Sequence, residues 1–158
     1  MIRIMVTLLM VSALFGCSAL HVSTDGELTG SRPPEAKIKI GDAWYETKLG
    51  TYCWSSKNQG RCVDTIGPVE MLKNEKPVPV KPGAEITFVM DYEPQPNRFH
   101  VNRISEGKHT EVAVKQNSFQ APAQKGIYYY SYGVWWMDEK EANVAHGDAF
   151  YYFVLEVM

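Results

Sequence analysis

A chain of 158 residues supports one domain, or one domain with a tail. Its 16 Lys and Arg against 18 Asp and Glu leave a net charge of −2, without the basic excess that a nucleic-acid-binding surface usually shows. Hydrophobic residues at 45% and charged residues at 22% exclude a largely disordered chain.

Arg3 gives the N-terminus a short positive start. Residues 4–15 then carry no charge, with Thr7 and Ser12 as the polar members. The run falls short of the roughly 18 apolar residues that a membrane span needs. It fits the apolar core of a secretory signal. Leu14-Phe15-Gly16-Cys17 resembles the lipobox of bacterial lipoproteins, with a small residue before the cut and a cysteine after it. The resemblance implies that residues 1–16 are a signal peptide and that Cys17 becomes the lipidated first residue of the mature chain. Acyl chains would then hold the protein at a membrane face, at about 0.8 kcal/mol per buried CH₂. The alternative is an ordinary signal peptide with an incidental Cys. Residues 17–35 complete the N-terminal region as the lipidated Cys and a tether, because Ser, Thr, Gly, Asp and Pro33-Pro34 dominate and Leu20 and Val22 are too few to order it.

Residues 36–158 form the domain. Lys37-Ile38-Lys39-Ile40 alternates polar and apolar residues, as a half-buried strand does. Residues 44–54 are rich in aromatics and Thr, and residues 69–72 are a short apolar piece. Between Cys53 and Cys62 lies a polar stretch with Gly60, the composition of a hairpin loop. With Cys17 set aside, this even pair in an exported chain fits a disulfide. Two free thiols or a metal site are the alternatives; a redox pair would sit closer, as in Cys-x-x-Cys. Pro77, Pro79 and Pro82 exclude a central strand at residues 77–83 and fit an edge followed by a turn at Pro82-Gly83.

From Glu85 the alternation resumes, with Ile86, Phe88 and Met90 on one face. Residues 99–104 and 111–115 are two further strands with Gly107 in the turn between them. Residues 126–136 and 148–157 are the strongest strands, apolar on both faces and therefore central. Residues 137–146 are the one stretch that reads as a helical turn. Short strands with almost no helix point to an all-β antiparallel sandwich or barrel. Val80-Lys81-Pro82-Gly83, Gly126-x-Tyr128-x-Tyr130 and Gly147-Asp148-Ala149-x-Tyr151-x-Phe153-x-Leu155-x-Val157 resemble the later strands of immunoglobulin-like sandwiches in bacterial surface proteins. The nearest likeness is to small lipoproteins of Gram-positive bacteria whose function is uncharacterised, so it implies an immunoglobulin-like sandwich and no active residues.

The chain lacks Gly-x-Ser-x-Gly, His-Glu-x-x-His, Gly-x-Gly-x-x-Gly and the P-loop. Gly107-Lys108-His109-Thr110 is similar to the end of a P-loop but fits a hairpin turn better. His21 lies in the tether, His109 and His146 in loops, and His100 on a strand. The Gly83 turn, its strand and His100 resemble the first half of a cupredoxin copper site, but no Cys follows Cys62 to complete the ligand set. Asp138, Glu139 and Glu141 fit a solvated turn better than a calcium loop. No cofactor and no metal is therefore expected.

Trp44, Tyr45, Tyr52, Trp54, Tyr132, Trp135 and Trp136 exceed what a core of this size clearly requires. They either fill the sandwich or form a stiff aromatic contact patch. In the second case Trp54, Tyr132, Trp135 and Trp136 are the candidate binding surface. The leading expectation is a lipid-anchored, extracytoplasmic, non-enzymatic module that touches an envelope protein or the cell wall. The alternatives are a sandwich-fold protease inhibitor presenting the Cys53–Cys62 loop, and an enzyme whose site is assembled from distant residues.

Overall fold

The computed structural model describes residues 28–57 and 59–158. The signal segment, Cys17 and the first part of the tether lie outside them. Eleven strands and one short helix follow in order: β1 Ala36–Ile40, β2 Ala43–Glu46, β3 Lys48–Ser56, β4 Gln59–Val63, α1 Pro68–Leu72, β5 Val78–Val80, β6 Glu85–Met90, β7 Arg98–Ser105, β8 Lys108–Glu111, β9 Ser118–Gln120, β10 Gly126–Met137 and β11 Ala145–Val157.

They build two sheets packed as a sandwich. The smaller has four strands in the order β2-β1-β6-β9. The larger has seven, with β4-β3-β11-β10-β7-β8 as its path and β5 beside the end of β11. All pairings are antiparallel except β5 with β11, where Val78 stands beside Leu155 and Val80 beside Val157. The proline-rich segment is thus a flanking strand, as its missing donors require. Pro82-Gly83 turns the chain into β6, with the Ala84 amide bonded to the Lys81 carbonyl at 3.1 Å.

The β10–β11 hairpin is the spine of the larger sheet, paired from Gly126–Val157 at one end to Met137–Ala145 at the other. Its inward residues alternate: Tyr128, Tyr130, Tyr132, Val134 and Trp136 on β10 are buried, with Ala149, Tyr151, Phe153, Leu155 and Val157 on β11. Ile38, Ile86, Phe88 and Phe119 meet them from the smaller sheet. Phe88 stacks on Tyr132 with ring centroids 3.8 Å apart, and Tyr130 stacks on Phe153 at 4.8 Å.

Besides the strand expected at residues 111–115, which is found as β8 at Lys108–Glu111, three features differ from the sequence reading. The run at residues 44–54 that is rich in aromatics and Thr is divided between two strands. Thr47 separates them, its amide and hydroxyl both bonded to the Ala36 carbonyl, and the chain there passes from the smaller sheet to the larger. The helix is not at residues 137–146, which form the end of β10, a tight loop and the start of β11. It is α1, where Pro68 occupies the first turn and cannot be missed as a donor there. Leu72 of α1 packs on Tyr152 and Val154 and so covers part of the outer face of the larger sheet.

Residues 28–35 are the third difference, for they are a strap on the sandwich and not free tether. Leu28 is only 1% exposed and belongs to the main core. Trp54 Nε1 donates to the Gly30 carbonyl at 3.2 Å, the Thr29 amide donates to Tyr92 Oη at 2.7 Å, and Tyr151 Oη donates to the Pro34 carbonyl at 2.6 Å. Buried Leu28 and Pro33 and the hydrogen bonds to Trp54, Tyr92 and Tyr151 anchor a segment whose composition alone predicts none of this.

Candidate functional site

The four aromatic residues expected at a binding surface separate. Trp54, Tyr132 and Trp136 are buried, at 2%, 5% and 3% exposure, and Trp135 is half-buried. Strand parity is the reason. Trp136 shares the inward parity of Tyr128, Tyr130 and Tyr132, whereas Trp135 points to the outer face and packs edge-on against Phe150 at 5.6 Å. Trp54 is not in the loop: it lies on β3 opposite Gly147 and points inward.

Trp54, Trp136 and Tyr92 make an aromatic cluster at one end of the sandwich. The two indoles meet edge-to-face at 4.9 Å, and Tyr92 stands 5.8 Å from each. Their polar atoms are satisfied, since Trp136 Nε1 donates to the Pro94 carbonyl at 2.6 Å. Leu28 and the backbone of Gly147 close the cluster. A Cβ at Gly147 would lie 2.6 Å from Leu28 Cδ1 and 2.7 Å from Trp54 Cε3. Only the absence of a side chain there lets the strap approach so closely.

The cysteines do form a disulfide. Cys53 and Cys62 stand directly opposite one another on β3 and β4, with Cα atoms 4.1 Å apart. The bond lies on the outer face, since the neighbouring Trp54 takes the inner one. Asp148, also on the outer face, accepts from the Cys53 amide at 3.3 Å. Burial nonetheless holds its carboxyl above the ordinary aspartate range, and the Cys53 amide only partly opposes this. A disulfide of this kind is at home in an oxidising, extracytoplasmic setting.

Beyond the aromatic cluster, the β10–β11 loop and residues 94–97 enclose a cleft of about 330 Å³. His146 Nε2 and Asp138 Oδ2 lie 2.9 Å apart at its edge. The other Asp138 oxygen accepts from the amides of Lys140 and Glu141, each at 2.7 Å. These two amides, Glu141 first, and the bond to His146 hold the Asp138 carboxyl below its ordinary range. Asn97 ties the opposite wall, donating to the Met137 carbonyl at 2.9 Å and accepting from the Met137 amide at 2.8 Å. The sequence signal for this cleft was the acidic loop Asp138, Glu139 and Glu141. Asp138 caps the turn there, and it is His146, 8 residues beyond Asp138, that completes the pair.

The remaining histidines do not join it. His100 Nδ1 is 3.4 Å from Glu111 Oε1 on the outer face of β7–β8, His109 is exposed on β8, and His21 lies outside the described residues. Among the described residues no group of three His, Cys, Asp or Glu side chains gathers at one point.

No protein-family model, no curated protein and no solved structure matches the chain. The sandwich and its disulfide therefore stand on their own geometry.

Proposed function

We propose that the chain is a lipid-anchored module held outside the cytoplasm, which contacts an envelope protein or a cell-wall component and does not itself catalyse a reaction. The carrying observation is the use of the three cysteines. Cys53 and Cys62 are consumed in one cross-strand bond, which leaves Cys17 alone behind Gly16 at the end of an apolar run. A chain that needs oxidising surroundings for two cysteines and carries a lipobox-like third fits export and acylation together. The likeness to immunoglobulin-like domains of Gram-positive lipoproteins belongs to the same proposal, supported by the two-sheet architecture and the Pro82-Gly83 turn into β6. The end cleft supports binding over catalysis: its acid–imidazole pair is internally engaged, and among the described residues no hydroxyl or thiol side chain lines it.

The test is metabolic labelling with an alkyne fatty acid in a bacterial host, followed by fractionation. The wild-type chain should be labelled and sediment with membranes, and Cys17→Ser should lose the label while keeping the disulfide. An unlabelled wild-type chain, or one found reduced in the cytosol, refutes the proposal.

A further inference from the structure

We propose that the opposite end of the sandwich binds a soluble ligand carrying two or more phosphate groups. A groove of about 770 Å³ opens there between the β7–β8 hairpin, residues 121–125 and the start of β10. Among the described residues Arg103, Lys108 and Lys125 line it against a single carboxylate, Glu106. This local positive excess runs against the chain's net charge of −2. None of the three cations enters an ion pair among the described residues, where Lys37, Lys48, Lys73, His100 and His146 are all engaged.

The groove is also stiffly built. Glu106 and Gly107 form a two-residue turn with positive φ at both positions, 51° and 73°, which fixes where Lys108 stands. Tyr128 donates its hydroxyl to the Gln124 carbonyl at 3.0 Å, and its ring becomes a shelf on which the Arg103 guanidinium rests 5.6 Å from the centroid. A guanidinium presents its donors as a planar fork that can hold two oxygens at once. Behind it stands Tyr130, the cross-strand partner of Arg103, with a buried hydroxyl on which the Arg103 guanidinium acts. One carboxylate offers too few oxygens and too little charge for cations spread around a groove of this size. Phosphate groups supply several acceptors each, which suits one forked donor and two point charges.

The source follows from position, and this clause rests on the anchoring proposed above. The chain enters the sandwich at Leu28, beside Gly147, whereas the groove lies by Gly126 at the other end of β10. Twelve residues of strand separate the two by roughly 35 Å. The groove thus lies at the end of the sandwich far from where the anchored segment enters, which favours soluble or polymeric phosphate over that membrane's headgroups.

Calorimetric titration of the full chain in neutral detergent with sodium tripolyphosphate tests this. Saturable binding is expected, weakening as salt rises. The Lys108→Glu/Lys125→Glu pair, at exposed positions, should weaken it about tenfold or more, and Arg103→Lys should weaken it by less than Arg103→Ala. Lys57→Glu/Arg61→Glu makes the same charge change at exposed positions on the β3–β4 hairpin at the far end of the sandwich and should leave affinity within about twofold. Absence of saturable binding, no loss in the groove variant, or equal loss in the control overturns the proposal. Thermal melting confirms that each variant folds. Flotation of the Cys17→Ser chain with vesicles of equal parts phosphatidylcholine and phosphatidylglycerol separates the sources. Groove-dependent flotation without tripolyphosphate binding overturns the soluble-phosphate assignment. Because titration does not require acylation, its outcome is independent of the fatty-acid labelling result.

Discussion

Leu28→Ala should destabilise the domain by about 2–3 kcal/mol, although the residue lies in a segment of tether-like composition. The substitution removes three carbons from a side chain that is 1% exposed. At about 0.8 kcal/mol per buried carbon the transfer loss alone is roughly 2.4 kcal/mol. The cavity term should be small, because the site lies at the end of the sandwich and Trp54 and the strap can settle into it. For a chain of this length, that loss lowers the melting temperature by about 5–10 °C. Urea unfolding read by tryptophan emission is the assay, since Trp54 and Trp136 lie beside the site and report on it directly. Val144→Ala, at a position 39% exposed, is the control and should shift stability by under about 0.5 kcal/mol. If Leu28→Ala is as silent as the control, the strap is not part of the folded domain and the boundary belongs after residue 35.

Trp136→Ala should cost about 3–5 kcal/mol by the same measurement, because it opens the aromatic cluster and leaves the Pro94 carbonyl without its indole donor. Asp148→Asn should raise the urea midpoint near neutral pH. Burial lifts the folded-state titration of this carboxyl, so the ionised form opposes folding above that point; the gain should vanish below about pH 3.9, where the unfolded chain also holds its proton. Asp138→Asn should behave in the opposite sense. Its carboxyl titrates low in the fold, so the wild-type advantage should be present above about pH 3.9 and fade as pH falls through the folded titration point.

Much of the sandwich was legible because strand alternation is a strong signal in β6, β10 and β11. The Pro82-Gly83 turn and the Cys53–Cys62 hairpin were also marked by residue type. The placement of Trp136 and Tyr132 was legible in principle: both share a parity with Tyr128 and Tyr130, and a strand that buries those two buries these as well. Trp54 was read into a loop because the polar run after it begins at Ser55, while β3 in fact extends to Ser56. The helix at Pro68 was hidden by its length. Five residues show too little periodicity to outweigh their β-branched and apolar content. The burial of Leu28, the pairing of His146 with Asp138 and the seat of Arg103 on Tyr128 were not legible, for a single apolar residue or a lone charge carries no period. Only the tertiary pairing of β3, β7, β10 and β11 brings them to their neighbours.

The strap also decides how the domain would respond to mechanical load. Tension arriving from the N-terminal side meets Leu28 and the Gly30 carbonyl before it reaches any strand ladder. Pulling would therefore draw a plug from its seat beside Gly147 and Trp54 first, and shear of β1 against β6 would come only after that seat had emptied.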